Sequence, residues 1–329
     1  MKRWQLPGTQ LSIFPLILGT DYYGKTVPED SACLLMDTFC EQGGNLLDTA
    51  HVYSDYLPGE KHMSEKVIGR WLRKSGMDKA LGSSFYIATK GGFPEVGDMH
   101  ASRISFREIS GDLEESLECL GIGCIDLYWL HRDNPAVPAE EITEWMNVFL
   151  RQGKIKSYGY SNWTSERIAA SLKYAERRGL AAPAASQIRW SLAVTSQGTA
   201  DDDTLVEMTP KEYAWYAQQR FPVFAFSSQA KGFFSKLRRE DGKYLLPDGK
   251  AGARYSNPVN LSTYEKLLKI SAKYGITIAQ AALAWILYAP FPAFPIIGCK
   301  TTGQLRESME AVKYSDIEEF SQQSQIFQH

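Results

Sequence analysis

The feature of this sequence that most constrains its fold is a regular alternation of two kinds of segment. Short runs rich in β-branched or aromatic residues are each followed by a longer stretch with apolar residues at three- and four-residue spacing. Strands that alternate with helices in this way are typical of βα units around a parallel sheet. Eight such units can be counted, and no flexible linker separates them.

The predicted strands and helices follow one another along the whole chain. The strands are 16–18, 46–47, 85–89, 126–130, 155–160, 184–187, 223–226 and 294–297. The helices that follow them are 29–42, 65–73, 106–120, 140–152, 165–178, 211–219, 264–274 with 278–289, and 304–312. Eight parallel strands with intervening helices predict an α/β protein whose residues 1–329 form a single (β/α)8 TIM barrel.

The segments outside these units are predicted to elaborate the barrel. Residues 3–6 and 11–13 flank a Pro-Gly-Thr turn, which predicts an N-terminal β-hairpin capping the barrel floor. Long loops are expected at 51–63, 188–209 and 227–261. Because barrel enzymes build their sites from the loops that follow strands, a functional site is expected there.

Composition excludes several classes of protein. The net charge is -2 and the basic residues are scattered, which argues against a nucleic acid or an anionic membrane surface as partner. The apolar stretch 278–297 contains Gln280 and three prolines, so a buried helix and a strand explain it better than a membrane span. The five cysteines form no C-x-x-C pair and no signal peptide is visible, so a cytoplasmic protein is expected. The oligomeric state cannot be read from the sequence.

Metal and nucleotide motifs of the common kinds are absent from the sequence. The histidines show no ligand spacing, so no metal site is predicted and a metal-dependent barrel enzyme is disfavoured; they are His51, His62, His100, His131 and His329. The run 121–126 has two glycines of a G-x-G pattern but precedes a strand, which indicates a turn and not a dinucleotide fingerprint. Any nucleotide would therefore bind at the barrel rim.

Polar residues stand at the carboxyl ends of the predicted strands. Asp48, Lys90 and His131 each follow an apolar run, and other strands end in Ser161-Asn162, Gln187, Ser227-Ser228 and Gly298. In a barrel these ends converge on one rim. Any one of these residues alone would more often have a structural role, and it is their joint position that indicates a site.

The sequence resembles the aldo-keto reductase family through motifs spread over nearly the whole chain. The motifs are DTAHVY at 48–53, SEKVIG at 64–69, ATK at 88–90, DLYWLH at 126–131 and GYSN at 159–162. The resemblance implies that Tyr53 is the general acid that protonates a substrate carbonyl. It implies that Lys90 and Asp48 favour the phenolate and ease proton release, and that His131 donates a hydrogen bond to the substrate oxygen.

The resemblance also implies NADP(H) as the cofactor. Ser161, Asn162 and Gln187 match residues that bind the nicotinamide carboxamide, and Phe226 matches an aromatic on which the ring stacks. The remaining positions expected to bind cofactor are Gly19, Thr20, Ser227, Ser228, Gln229, Ala230, Gly232, Gly298, Cys299, Lys300, Thr301, Gln304, Glu307 and Ser308.

Three features of this block depart from the family's usual pattern. Ser227-Ser228-Gln229 replaces a common Ser-Pro-Leu, and Ser308 replaces a common asparagine. Gln304 stands where many relatives have arginine, so NADPH is expected with NADH as an alternative.

The substrate is expected to be a small carbonyl compound, an aldehyde or a ketone. Aromatic pocket walls are expected from Tyr22, Tyr23, Phe93, Trp163 and Trp190. Asp55 and Asp133 lie near the predicted site and could bind hydroxyl groups, which favours a sugar, keto-sugar or polyol as substrate. Two alternatives stay open: an NADP-dependent sugar or polyol dehydrogenase working in the oxidative direction, and a non-catalytic, cofactor-sensing regulatory subunit.

Overall fold

The strands of the barrel are short and parallel, and they pair in sequence order. The computed structural model describes residues 3–199 and 202–321. Its strands are β1 (Trp4–Gln5), β2 (Ser12–Ile13), β3 (Ile17–Gly19), β4 (Leu46–Asp48), β5 (Tyr86–Gly91), β6 (Leu127–Leu130), β7 (Tyr158–Ser161), β8 (Ser186–Arg189), β9 (Val223–Phe226), β10 (Arg238–Glu240), β11 (Lys243–Leu245) and β12 (Ala293–Ile297). Strands β3 to β9 pair with their neighbours, and β12 closes the barrel by pairing with β3 and β9. The predicted (β/α)8 barrel is confirmed.

Helices follow the barrel strands as the alternation predicts. They are α1 (Glu29–Glu41), α2 (Met63–Ser75), α3 (Phe106–Leu120), α4 (Ala139–Arg151), α5 (Ser165–Arg178), α6 (Pro210–Gln219), α7 (Phe233–Lys236), α8 (Gly249–Tyr255), α9 (Pro258–Tyr274), α10 (Ile278–Leu287) and α11 (Thr302–Glu310). Capping residues set the ends of these helices, as α3 shows. The side chain of Ser105 accepts a hydrogen bond from the backbone N–H of Glu108 at the start of α3, and Gly121 ends that helix with φ of 69°.

The N-terminal hairpin forms the floor of the barrel, as predicted. Strands β1 and β2 pair antiparallel, and Leu6, Leu11 and Ile13 pack against Trp129 and other residues inside the barrel. Asn45, directly before β4, fixes the hairpin by donating to the carbonyl of Ser12 and accepting from the backbone N–H of Phe14, both at 2.8 Å. The hairpin therefore covers the amino end of the barrel.

The connection 227–261 contains more regular structure than the predicted loop. Helices α7 and α8 and the hairpin β10–β11 lie within it. Helix α9 begins at Pro258, six residues before the predicted start at 264, because Asn257 caps it by accepting from the backbone N–H of Asn260 and Pro258 suits the first helical position.

The most apolar part of the chain forms a helix and a strand of the core. Residues 278–287 form α10, and residues 293–297 form β12. Among the described residues no single helix is long and apolar enough to cross a membrane, and the one pair that would suffice by length and composition, α9 with α10, is bent by 98°.

Candidate active site

Four of the predicted site residues meet at the carboxyl end of the barrel. Asp48 ends β4, Lys90 lies in β5, and His131 directly follows β6. The strand register sets Asp48 opposite Ala88, two residues before Lys90. Tyr53 lies in the loop after β4, where its backbone N–H donates to the carbonyl of Ala50. The barrel therefore gathers side chains that are up to 83 residues apart in sequence.

Lys90 is the centre of a buried hydrogen-bonded chain. Its Nζ donates to Oδ2 of Asp48 at 2.5 Å, to the carbonyl of Thr49 at 2.6 Å and to the phenolic oxygen of Tyr53 at 3.0 Å. All three hydrogens of an ammonium group are thus used. On the far side, Gln187 donates from Nε2 to Oδ1 of Asp48 at 3.0 Å. The chain of contacts holds the Tyr53 hydroxyl in one place.

Burial dominates the protonation of these groups. It raises the pKa of the Asp48 carboxyl and lowers the pKa of the Lys90 ammonium, while the attraction between the two charges opposes both shifts. Burial, and then the nearby carboxylates Asp48 and Asp21, raise the pKa of Tyr53 well above 10. Without a ligand, burial therefore favours the protonated phenol at Tyr53, while the Lys90 ammonium stays within hydrogen-bond distance of the phenolic oxygen.

His131 lies beside Tyr53 in a neutral form. The two ring centroids are 5.9 Å apart with the rings nearly perpendicular, and the ring of Phe93 lies 4.8 Å from that of His131. Burial, and then the positive charges of Arg132 and Lys90, lower the pKa of His131 well below 6.5. A neutral imidazole keeps one N–H, which suffices for one hydrogen bond to a carbonyl oxygen.

The polar residues predicted to bind nicotinamide lie at the same rim. Ser161 and Gln187 face one another in the β7–β8 register. The Asn162 amide donates to the carbonyl of His131 at 3.2 Å and accepts from the backbone N–H of Val206 at 3.2 Å, so its side chain already has protein partners. Phe226 ends β9 and is half-buried.

Thr20 supports the site from within the protein. It is fully buried, and its hydroxyl donates to the carbonyl of Asp48 at 3.1 Å and accepts from Ser64 at 2.9 Å. Its hydroxyl therefore already has protein partners, and its contact with a cofactor stays a prediction. At Gly19 an added Cβ would lie 2.8 Å from the side chain of Ile296, so a larger residue would displace Ile296 in β12.

The predicted pyrophosphate loop has an unusual backbone. Ser227, Ala230 and Lys231 adopt left-handed φ values of 54°, 49° and 55°, and Gly232 follows with 76°. Two of the backbone N–H groups are used inside the loop, because Ala230 donates to Ser227 and Gly232 donates to Gln229. Turns of this kind can direct their remaining N–H groups towards an anion. The side chain of Ser228 is buried and donates to the carbonyl of Ile296 at 2.6 Å, which ties this loop to β12.

The second predicted cofactor segment lies against this loop. Gln229 donates to Oγ of Ser308 at 3.4 Å, and Cys299 Sγ lies 4.0 Å from that oxygen. Thr301 caps α11 by accepting from the backbone N–H of Gln304. The other members of the segment, Gly298, Lys300, Gln304 and Glu307, are exposed or half-buried around the first turn of α11.

Of the five aromatics predicted to line the pocket, Tyr22 and Phe93 remain accessible, and three are corrected because the core buries them. Tyr22 is 42% exposed, and Phe93 touches His131. Trp163 is 0% exposed because it stacks on Tyr160 with ring centroids 3.7 Å apart.

The other two corrections have the same cause. Trp190 is buried among Trp285, Phe291 and Tyr213, and Tyr23 is buried in the core. These three side chains turn from the rim into the hydrophobic core, so they stabilise the fold and do not line a pocket.

The acidic residues expected to bind hydroxyl groups are occupied. Oδ1 of Asp55 accepts from the backbone N–H of His62 at 2.7 Å. Asp133 is held by both ends of the Arg167 guanidinium at 2.9 and 2.8 Å.

Arg132 is a site residue that the sequence reasoning missed. Its guanidinium lies 4.9 Å from the centre of the Phe93 ring and donates to Thr204 and Asp202, both at 3.0 Å. It therefore joins a pocket aromatic to the loop before α6. Its position next to His131 was the signal that could have identified it.

Comparison with known proteins gives consistent matches over nearly the whole chain. The family model described as "Aldo/keto reductase family" matches residues 15–326. The chain is 28% identical over 323 residues to an uncharacterized oxidoreductase of Bacillus subtilis, YrpG, covering 96% of this chain and 92% of that protein. It is 26% identical over 287 residues to a putative voltage-gated potassium channel subunit beta of Schizosaccharomyces pombe, covering 83% and 76%.

A solved structure shows the same fold. The aldo/keto reductase of Klebsiella pneumoniae, in complex with NADP and acetate, superimposes with a TM-score of 0.68 at 22% identity, covering 98% of this chain and 94% of that one. On the match of the family model to most of its length, the chain belongs to the aldo/keto reductase family.

Proposed function

We propose that this protein reduces an aldehyde or ketone to the alcohol, with NADPH as hydride donor and Tyr53 as proton donor. The observation that carries the proposal is the chain of hydrogen bonds from Asp48 through Lys90 to the Tyr53 hydroxyl, next to a neutral His131. Bound NADPH would supply the hydride to the carbonyl carbon. The oxygen then needs a proton and a positioned hydrogen-bond donor, and both are present at the rim.

The four side chains divide this work. Tyr53 holds its proton because its pKa is raised, and it can give that proton to the alkoxide as negative charge develops there. Lys90 donates to the Tyr53 oxygen and so stabilises the phenolate that is left. Asp48 fixes Lys90, and His131 would offer its single N–H to the substrate oxygen.

The cofactor proposal rests on two structural features. The loop from Ser227 to Gly232 contains four left-handed residues, and helix α11 lies against this loop through the contact of Gln229 with Ser308. Both favour phosphate groups. The exposed Lys300 beside α11 offers a cation to a 2′-phosphate, which supports NADPH, while the uncharged Gln304 leaves NADH as an alternative. The NADP complex of the Klebsiella relative supports the same assignment.

For the substrate we propose a carbonyl compound with an apolar or aromatic group. Phe93 contacts His131, and the exposed ring of Tyr22 lies edge-on to that of Tyr56 at 6.3 Å. Such rings bind flat apolar surfaces. The sugar or polyol alternative loses its main support, because Asp55 and Asp133 have protein partners.

The test is an assay of the purified protein against aromatic aldehydes, aliphatic aldehydes, ketones and sugars, with NADPH and with NADH. Loss of reduced nicotinamide absorbance is the readout. We expect turnover by the wild type, and a fall of about a hundredfold or more for Tyr53→Phe at unchanged NADPH affinity. Equal turnover of the two proteins would contradict the role of Tyr53. Alcohol oxidation with NADP+ tests the reverse, dehydrogenase direction.

A regulatory subunit that senses cofactor is the second candidate function. It is favoured by the similarity to the putative channel subunit of Schizosaccharomyces pombe. NADPH binding without turnover of any carbonyl compound in the panel would support it over the reductase. Location in the cytoplasm stays a prediction for either function.

A further inference from the structure

Two histidines and a glutamate meet between the loop that carries Tyr53 and helix α3. Nε2 of His51 lies 2.7 Å from Oε2 of Glu115, and Nε2 of His62 lies 3.7 Å from the same oxygen. One ligand atom from each residue lies within 4.8 Å of the others. His51 begins the loop, His62 directly precedes α2, and Glu115 lies in α3, so the cluster is produced by the fold and not by sequence spacing.

The acceptor groups behind the two imidazoles orient the ring nitrogens for an ion. Nδ1 of His62 lies 2.7 Å from the carbonyl oxygen of His51, and since a carbonyl can only accept, Nδ1 carries the hydrogen. The lone pair of His62 is therefore on Nε2, facing Glu115. Nδ1 of His51 lies 3.8 Å from the buried carboxylate of Asp112. Histidines that bind metals characteristically have a carbonyl or carboxylate behind the other nitrogen.

The surroundings allow an ion to enter. The side chains of His51 and His62 are 11% and 20% exposed, and that of Glu115 is 58% exposed, so one side of the cluster is open to water.

Three cations line the same pocket as His62 and Glu115, namely Lys66, Arg70 and Arg73, and two of them have a carboxylate of their own. Lys66 pairs with Glu60 at 2.7 Å and Arg70 with Glu29 at 2.7 Å. Neither Lys66 nor Arg70 needs Glu115 as a partner, so the partners of its carboxylate are the two imidazoles.

We propose that His51, His62 and Glu115 form a binding site for one divalent transition-metal ion of the Zn²⁺ type. Two imidazole nitrogens and one carboxylate oxygen are ligands that Zn²⁺ prefers, with water in the fourth position. Mg²⁺ and Ca²⁺ prefer oxygen ligands alone, so they should bind far more weakly. The ion takes the place of the proton shared between His51 and Glu115. The site is separate from the Asp48–Lys90–Tyr53 chain.

The ligands determine what the ion does to the protein. His51 and His62 stand at the two ends of the loop that carries Tyr53, and Glu115 belongs to the helix against which that loop packs. A bound ion links both ends of the loop to α3 and restricts the loop. Because the site exists only in the folded chain, Zn²⁺ raises the melting temperature.

The test begins with chelator-treated full-length protein titrated with zinc chloride by calorimetry. We expect one ion per chain at this site. Glu115→Gln and His62→Asn should each weaken Zn²⁺ binding by at least about tenfold, since loss of even a supporting partner behind a ligand commonly costs that much. Asparagine suits position 62 because His62 has a left-handed φ of 57°. Glu118→Gln is the matched control: it removes the same charge from the same helix and should bind like the wild type.

A second readout separates this site from adventitious binding by thiols. The Zn²⁺-dependent rise in melting temperature should be present in the wild type and in Glu118→Gln, and absent in Glu115→Gln and His62→Asn. The proposal is overturned if the wild type binds Zn²⁺ with a dissociation constant above about 1 mM. It is also overturned if Mg²⁺ binds equally well, or if the two ligand variants bind Zn²⁺ like the wild type.

Discussion

The ammonium nitrogen of Lys90 lies 3.0 Å from the phenolic oxygen of Tyr53. The same nitrogen is 2.5 Å from Oδ2 of Asp48, and both side chains of this ion pair are buried. The Lys90 side chain therefore cannot move without losing a buried hydrogen-bond partner. The geometry of proton donation is fixed before any substrate arrives, which is what a preorganised site requires.

Lys90→Met should destabilise the fold by about 3–5 kcal/mol, because it leaves the Asp48 carboxylate buried without its partner. Adding Asp48→Asn removes that charge. The double variant should therefore lose less unfolding free energy than the two single variants lose together, by at least about 0.5 kcal/mol. Urea unfolding of the four proteins measures this coupling. Strictly additive effects would show that the pair does not interact as described.

Lys300→Ala should weaken NADPH binding by about tenfold, equivalent to about 1.4 kcal/mol, and leave NADH binding unchanged. The reason is that NADPH alone carries the 2′-phosphate that an exposed ammonium at this position would attract. Quenching of tryptophan fluorescence on titration with each cofactor gives the two affinities. Lys313→Ala, which removes another exposed lysine beyond α11, is the control. If Lys300→Ala weakened the binding of NADPH and NADH equally, Lys300 would not be the contact of the 2′-phosphate.

The sequence was sufficient to predict the barrel and the convergence of the strand-end residues of the site. Each strand of the barrel is an apolar run, and a parallel barrel brings all the strand ends to one rim, so the meeting of Asp48, Lys90 and His131 follows from topology alone. Helix α9 was predicted too short because its first turns rest on the Asn257 cap and Pro258, and not on apolar periodicity.

What the sequence could not give was the direction of individual side chains. Trp163 follows a strand end, and yet it stacks inwards on Tyr160. Its direction is set by packing in the core and not by its position in the sequence. The carboxylates of Asp55 and Asp133 have partners 7 and 34 residues away, which no local pattern reveals. The cluster of His51 with Glu115 joins residues 64 apart for the same reason.

Trp163→Ala should therefore affect mainly stability, and Phe93→Ala mainly KM. Trp163 is fully buried, so its truncation should lower the free energy of unfolding by about 3–5 kcal/mol, with little change in KM for the folded protein. Phe93 is half-buried beside His131, so its truncation should raise KM for aromatic aldehydes with a smaller loss of stability. Urea unfolding and steady-state kinetics on both variants provide the comparison. A raised KM for Trp163→Ala at full stability would instead show that Trp163 lines the substrate pocket.

The neutral state of His131 predicts how stability depends on pH. Burial, and then Arg132 and Lys90, lower its pKa in the folded protein, whereas the unfolded chain has the ordinary value of about 6.5. Below that pH the unfolded state binds a proton that the folded state does not, so stability falls as the pH falls. One such group contributes a slope of up to about 1.4 kcal/mol per pH unit.

His131→Gln removes that contribution, so its unfolding free energy should fall less steeply than that of the wild type between pH 7 and pH 5. Urea unfolding at intervals across this range gives the two slopes. His100→Gln is the control for loss of an imidazole elsewhere, because His100 and the carboxylate beside it, Asp203, are both exposed. If His131→Gln keeps the full wild-type slope, His131 must gain a proton in the folded protein over the same range. A charged imidazole would then face the substrate oxygen, and the hydrogen-bonding role proposed for the neutral ring would have to be replaced by an electrostatic one.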